Sequence, residues 1–327
     1  MLTPNAPNQA LLRQRARTSR RDLILALTAN IVPLLGAIFL LVSILAFGMP
    51  VHLFDVVLFA VCYFLAMVGL EVGFHRYFAH KSFKTTKPVE MMLGILGSMS
   101  FQGGVILWTA THRRHHGNTD EPSDPHSPVA PAGSPPGRRI AQFMHAYIGW
   151  MFNPDSLKPK GWERMTPDMF RRPDLFRLHV TYAKWGILGI VIPALIGAAW
   201  YQSWQGFLSG LLWGGLLRIF VANQMYYITN SFGHLVGTRP FRRADNSRNN
   251  LLLAIPTLGL SLHNNHHEFP ASASVSLHWW QPDISALVIR LLERLGLVWD
   301  VRRPTQEQIL EAKQRYSVEY EPGKKKA

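Results

Sequence analysis

Of the fourteen histidines in this 327-residue chain, nine gather in four short stretches. "HRYFAH" carries His75 and His80, "THRRHH" carries His112, His115 and His116, "NSFGH" ends at His234, and "SLHNNHHEFP" carries His263, His266 and His267. On an α-helix, spacings of three and four return side chains to one face. Each H-x-x-H-H therefore predicts three imidazoles aimed at one point. His75 and His80, five apart, diverge by about 140° at roughly 100° per residue, which suits bracketing a metal cluster rather than chelating one ion. Neutral imidazoles gather around a metal, whereas protonated ones repel one another. Metal binding is the chemistry this pattern points to. The scattered His52, His145, His179 and His278 read as ordinary core or surface residues. His126 in "SDPHSP" reads as a neighbour of the ligands.

The elements that must position these imidazoles are membrane-spanning. Apolar residues make up 48% of the chain and charged ones 17%. Leu23 to Phe54 holds no charge, more than the roughly 20 residues a crossing needs, and too long for the apolar core of a signal peptide. Gly48, Met49 and Pro50 break it. The run from Leu53 to Phe74 carries only Asp55 and Glu71, and Trp185 to Leu217 is again uncharged. Within the latter, "AAWYQSWQG" reads as an interfacial turn with Trp200, Tyr201 and Trp204 at headgroup depth. Four crossings follow, as two hairpins: about 23–47 with 53–74, and about 183–200 with 206–229. Residues 89–108 are apolar enough for a fifth, but a crossing there puts "HRYFAH" and "THRRHH" on opposite sides. They are read as embedded or interfacial, without spanning.

The formal charge of +14 is assigned to topology and to anionic headgroups rather than to nucleic acid. Arg13, Arg15, Arg17, Arg20 and Arg21 precede the first span, which places both termini and all four histidine stretches on the cytoplasmic side of the inner membrane. The single Cys62 excludes a disulfide framework and a cysteine zinc site. The expected organisation is a basic cytoplasmic N-terminus (1–22), a membrane domain (23–303) whose cap comprises 75–182 and 230–303, and a basic tail (304–327). Within the cap, 117–140 reads as a surface loop, 168–178 as lying near headgroups, and 284–298 as a packing helix. The fold class is an all-α integral membrane protein with four transmembrane helices under a cytoplasmic helical cap that holds a histidine-rich dimetal site.

Nine nitrogen donors exceed the four that zinc typically takes, so two ions share them. Imidazole suits zinc, copper, iron or nickel, which leaves the metal open. A bis-histidine haem wants histidines deep within the spans. A dizinc hydrolase usually adds bridging carboxylates, and a metal transporter wants polar ligands along the crossings. A nitrogen-rich diiron centre that activates dioxygen fits better, and beside a membrane its natural substrate is an acyl chain.

The four stretches resemble the three histidine boxes and the additional asparagine–histidine motif of membrane fatty acid desaturases. The resemblance is nearest to the acyl-CoA or delta-9 type, including bacterial and cyanobacterial members. It runs from about residue 50 to 300, through "FQGGVILW", "SDPHSP", Gly149-Trp150 and "SRNN". The resemblance implies two irons held directly by all nine histidines, with Asn230 holding one of them through a water. It implies that Gln102 and Trp108 line the acyl tunnel. Dioxygen and two electrons then remove two hydrogens from unactivated methylenes, leaving a double bond and water. Ferredoxin or a b-type cytochrome is the expected electron donor. The same centre can also hydroxylate, form a terminal alkene or alkyne, or decarboxylate the chain. Arg218, a charge inside the fourth span, is functional by default and is read as part of the substrate path, holding a carboxylate or carbonyl.

Two stretches depart from the family pattern. Gly259-Leu260-Ser261-Leu262-His263 stands where relatives usually have Gly-Glu-Gly-x-His, so an apolar side chain replaces a carboxylate. Gly149-Trp150 leads into Met151-Phe152-Asn153-Pro154-Asp155, where animal enzymes carry a basic pair that helps to bind coenzyme A. An acyl carrier protein or a phospholipid thus stands beside coenzyme A as the carrier.

Overall fold

The computed structural model describes residues 19–153 and 161–318. The basic stretch before Ser19, Pro154 and Asp155, and the tail from Glu319 lie outside the described residues. The long helices are α1 (Ser19–Phe47), α2 (Leu53–Val68, continuing as a π-helix over Gly69–Ala79), α7 (Tyr182–Tyr201) and α8 (Trp204–Phe232, π-helical over Leu211–Leu217). The cap contributes α3 (Lys87–Ser98), α4 (Val105–Gly117), α5 (Pro136–Tyr147), α6 (Pro173–Val180), α9 (His263–Glu268), α10 (Ile284–Arg294) and α11 (Gln306–Val318). Among the described residues the only sheet is a two-residue antiparallel pair, β1 (Lys84–Thr85) with β2 (Val298–Trp299).

Among the described residues four helices are long and apolar enough to cross a membrane: Leu23–Phe47, Leu53–Ala79, Tyr182–Tyr201 and Trp204–Phe232. Their outer faces are greasy, with Leu45 76% and Phe47 81% exposed. The two hairpin turns meet at one end, where Phe54 stacks on Trp200 at 4.4 Å and His52 lies 5.6 Å from Tyr201. The second and fourth spans outrun the lengths expected of them and rise into the cap. There Leu70, Val72 and Phe74 are fully buried, which the lipid-facing part of the same helix is not.

Residues 89–108 do not form one helix. A turn at 99–104 separates α3 (12 residues) from α4 (13 residues), each too short to span. α3 lies against the π-helical end of α2, where glycines let the backbones touch: a Cβ at Gly73 would sit 2.9 Å from the Leu93 carbonyl oxygen. Phe101 (φ 57°) and Gly103 (φ 96°) take left-handed backbone in the turn, which re-aims the chain so that α4 climbs towards the cap.

A buried ion pair ties the top of α2 to the C-terminal half of the cap. The Arg76 guanidinium donates to both Asp283 carboxylate oxygens at 3.1 and 2.8 Å and to the Ala273 carbonyl at 2.7 Å. Asp283 also accepts from the Ala286 amide at 2.9 Å, capping α10, so one carboxylate both starts that helix and docks it.

Candidate metal centre

All nine clustered histidines converge, and they sort into two groups. His75, His80, His112, His116 and His266 form one; His115, His234, His263 and His267 form the other, with donor atoms in each within 4.8 Å of one another. The expectation that each H-x-x-H-H aims at a single point is corrected. On a helix the i, i+4 pair is offset by about 40°, whereas the i+3 residue leans about 60° the other way. His112 with His116, and His263 with His267, therefore stay together, while His115 and His266 cross to the opposite group. Each triad serves both groups.

His75 and His80 are also corrected, from bracketing a cluster to sharing one group. Their segment is a π-helix, and the His80 amide donates to the His75 carbonyl at 3.1 Å, five residues back. That wider turn closes the 140° divergence of an α-helix, and the two rings stand 4.9 Å apart.

The ring nitrogens that meet are the Nε2 atoms. In the first group the separations are 3.1 Å (His75–His266), 2.8 Å (His80–His112), 3.1 Å (His112–His116) and 2.9 Å (His116–His266). In the second they are 3.0 Å for both His234–His263 and His263–His267. Donors about 2.1 Å from a metal and at right angles to one another lie about 3 Å apart, against about 3.4 Å in a tetrahedron. These spacings suit right-angled coordination. His115 Nε2 is buried with no hydrogen-bond partner, an orphan that a metal would satisfy.

Carboxylates hold the far side of several rings, an arrangement that orients metal-binding imidazoles. Glu71 lies 3.1 Å from His75 Nδ1, Asp124 3.0 Å from His115 Nδ1, and Asp120 3.2 Å from His234 Nδ1. Sequence reasoning missed these three. Glu71 carried a signal in its position four residues before His75 on one helix. Asp120 and Asp124 lay in the 117–140 stretch, read as a surface loop; 121–123 and 131–133 are exposed as that reading expects, but residues 124–128 are buried because Asp124 reaches in to His115. His126 is a neighbour of the ligands as expected, its ring 4.3 Å from that of His115.

Asparagines lock the short helix α9. The Asn249 side-chain oxygen accepts from the Asn264 and Asn265 amides at 2.9 and 3.1 Å. Asn264 donates to the Phe241 carbonyl and Asn265 to that of Val275, both at 2.9 Å. A six-residue helix has little stability of its own, and these bonds fix it.

Burial, reinforced by neighbouring imidazoles, holds His80, His112, His116, His263, His266 and His267 well below the usual histidine range. At neutral pH they are uncharged, the form that binds metal. Burial pushes Asp120 and Asp124 up, but hydrogen bonds from His234 and His115 outweigh it and keep both carboxylates ionised.

Beside the first group opens a largely apolar cavity, walled by Gln102, Trp108, His112, Tyr226, Asn230 and others. The Trp108 ring lies nearly parallel to that of His112, 5.1 Å away at 20°. Gln102 accepts from the Trp108 indole and donates to Asn223, each at 3.1 Å. Gln102, Trp108 and Asn230 thus line this cavity. Arg218 is not among its lining residues. It is buried and donates to the carbonyls of Gly214 (3.2 Å), Met99 (2.8 Å) and Gly189 (2.5 Å), which makes it a brace between α7, α8 and the turn after α3. His179, read as an ordinary residue, lines the cavity, as do Leu25 and Ala26 of α1. Leu260, where a carboxylate was noted as missing, is buried in the apolar core.

A family model for fatty acid desaturases matches residues 54–302. The chain is 40% identical over 303 residues to a hex-5-enoyl acyl-carrier-protein acetylenase of Moorena producens, covering 90% of this chain and 93% of that one. It is 32% identical over 268 residues to acyl-CoA desaturase 1 of Saccharomyces cerevisiae, covering 80% of this chain and 49% of the yeast protein. Over 248 residues it is 33% identical to delta-9 acyl-lipid desaturase 1 of Arabidopsis thaliana, covering 76% and 75%.

Proposed function

The chain belongs to the fatty acid desaturase family, and from that premise we propose that it dehydrogenates a fatty acyl chain at a nine-histidine diiron centre. The observation that carries this reading is the convergence of the nine imidazoles in two groups beside an apolar cavity. Two irons held by the nine histidines would supply the oxidising power; in the overall reaction dioxygen, two external electrons, two protons and one –CH2–CH2– unit give –CH=CH– and two waters. The protein's own contribution is to hold and position. Neutral histidines present their Nε2 atoms, and Asn230 acts through a water. Trp108, pinned by Gln102, forms the wall against His112, and the apolar lining excludes water and fixes one carbon pair near the reacting centre.

The relatives act on chains carried by an acyl carrier protein, coenzyme A or a lipid, as their names state. The 40% identity along nearly the whole chain favours acyl carrier protein as the carrier. The same likeness supports a second reading, in which an existing double bond is oxidised once more to a triple bond. A delta-9-like position follows the resemblance to the delta-9 enzymes. The donor is ferredoxin or a b-type cytochrome, and the centre faces the cytoplasm from the inner membrane.

The test is the acyl profile of an aerobic bacterial host making the protein with a matching donor, beside His266→Ala. A new alkene or alkyne that disappears in the variant supports the proposal and gives the bond position. A hydroxylated or shortened product would change the reaction class. A product that forms equally without oxygen would point to hydrolysis and defeat it.

A further inference from the structure

The segment Leu251–Leu260, "LLLAIPTLGL", contains no charged residue and leads directly into the third histidine box. Its C-terminal half is buried, Leu258 and Leu260 in the apolar core, but its tip is open to the surroundings: Leu251 is 43%, Leu252 91% and Ile255 63% exposed. Such an apolar tip is costly in water. Its place beside α2 shows what surrounds it. The Tyr63 hydroxyl donates to the Pro256 carbonyl, and Tyr63 is the eleventh of the 27 residues of the span Leu53–Ala79. The hydrocarbon core takes up about 20 residues of a helix. Wherever that window is set along this span, Tyr63 falls inside it, and the Pro256 carbonyl lies within the reach of one tyrosine side chain from it.

The backbone of the segment is built for that depth. Ala254 donates to Leu251 (3.1 Å), Thr257 to Leu253 (3.0 Å), Leu258 to Ile255 (3.0 Å) and Gly259 to Ala254 (2.8 Å). Non-helical chain survives beside lipid only when its polar groups are satisfied internally; these turns pair four of the segment's amides, the Asn250 side chain accepts from the Leu253 amide at 3.3 Å, and Tyr63 serves the Pro256 carbonyl.

The face continues outwards. The Ser285 amide donates to the Leu258 carbonyl at 3.1 Å, joining the segment to α10. That helix buries Ala286 and Ile289 but leaves Leu287, Leu291 and, just past its end, Leu295 more than half exposed, four residues apart. Exposed Arg290 and Arg294 flank this stripe. Just before the helix, Trp279 is 96% exposed and Trp280 50%. An apolar stripe edged by arginine and tryptophan fits the headgroup boundary of an anionic bilayer.

We propose that residues 251–256 dip into the bilayer beside α2, and that Trp279, Trp280 and the Leu287–Leu291–Leu295 stripe lie on the membrane surface. The segment that carries His263, His266 and His267 is then held on lipid at both ends, and the cap has a contact with the membrane beyond its four spans.

The test is a set of nitroxide labels at single cysteines in the Cys62→Ala protein: Leu252→Cys, Leu291→Cys and, in the polar loop, Ala132→Cys. The labelled protein is reconstituted in vesicles of mixed zwitterionic and anionic phospholipid. Power saturation is read against oxygen, which concentrates in lipid, and a water-soluble nickel chelate. Positions 252 and 291 are expected to be open to oxygen and closed to nickel, with 252 the deeper, while 132 is open to nickel. Nickel access at 252 and 291 equal to that at 132 would overturn the proposal. So would exclusion of both reagents, which means a protein partner or a second copy covers the face. Labels at Ile255 and Leu287 repeat the reading should either first variant fail to fold. None of these readings depends on turnover, so they stand or fall apart from the proposed desaturation.

Discussion

Asp124 turns His115 away from its neighbours in "THRRHH" and towards the four-histidine group, with contacts of 3.0 Å from both carboxylate oxygens to Nδ1. Replacing Asp124 by Asn keeps its size but removes the charge that orients the ring. Such partners typically contribute about 10–100-fold in metal affinity, and a loss of that size is expected in metal titrations of Asp124→Asn. Acid acts on the same residues. The six imidazoles with depressed values stay neutral in the fold, while the unfolded chain takes up protons near pH 6.5. The unfolded state therefore binds more protons below that pH, so stability is fully present above it and falls as the pH drops. The thermal midpoint of the metal-free protein should be flat from pH 8 to 7 and decline at pH 6 and 5; a midpoint independent of pH would contradict the burial of neutral histidines. The histidines themselves were legible from spacing alone. Their carboxylate partners were not, because Asp120 and Asp124 sit in a stretch whose composition reads as solvent-exposed loop.

At the scale of elements, hydropathy located all four spans and both hairpins, because the absence of charge over some twenty residues has one physical explanation. The π-helix over Gly69–Ala79 was not legible: burial on all sides gives no periodicity to distinguish it from an α-helix. Its trace was the five-residue gap between His75 and His80, which an α-helix cannot bring to one site. The surroundings of Arg218 were illegible for a related reason. Sequence shows that a charge lies in a span, but not that three main-chain carbonyls face it. Helix α1, outside the region matched by the family model, reads as a mere anchor, yet Leu25 and Ala26 reach the cavity wall. Asn30 fixes that register, accepting from the Tyr227 hydroxyl at 2.8 Å and donating to the Ala26 carbonyl at 2.8 Å. Ala26→Phe should fill that end of the cavity and shift the products to shorter chains by several carbons. Leu27→Phe, on the exposed side, should leave the product distribution unchanged, and lipid profiling of both variants checks it.

At the scale of the molecule, the spans, the cap and the asparagine-locked α9 bring imidazoles from four distant stretches to two adjoining points. No box holds a complete group, so the centre exists only in the folded chain, and each triad couples the two groups through one short helix. A change in one box should accordingly disturb both metals rather than one. The most direct measurement is the metal content and X-ray absorption of protein purified anaerobically after iron loading. Two irons per chain with nitrogen- and oxygen-only ligation are expected. A single metal per chain, or two zinc ions that iron does not displace, would contradict the diiron account.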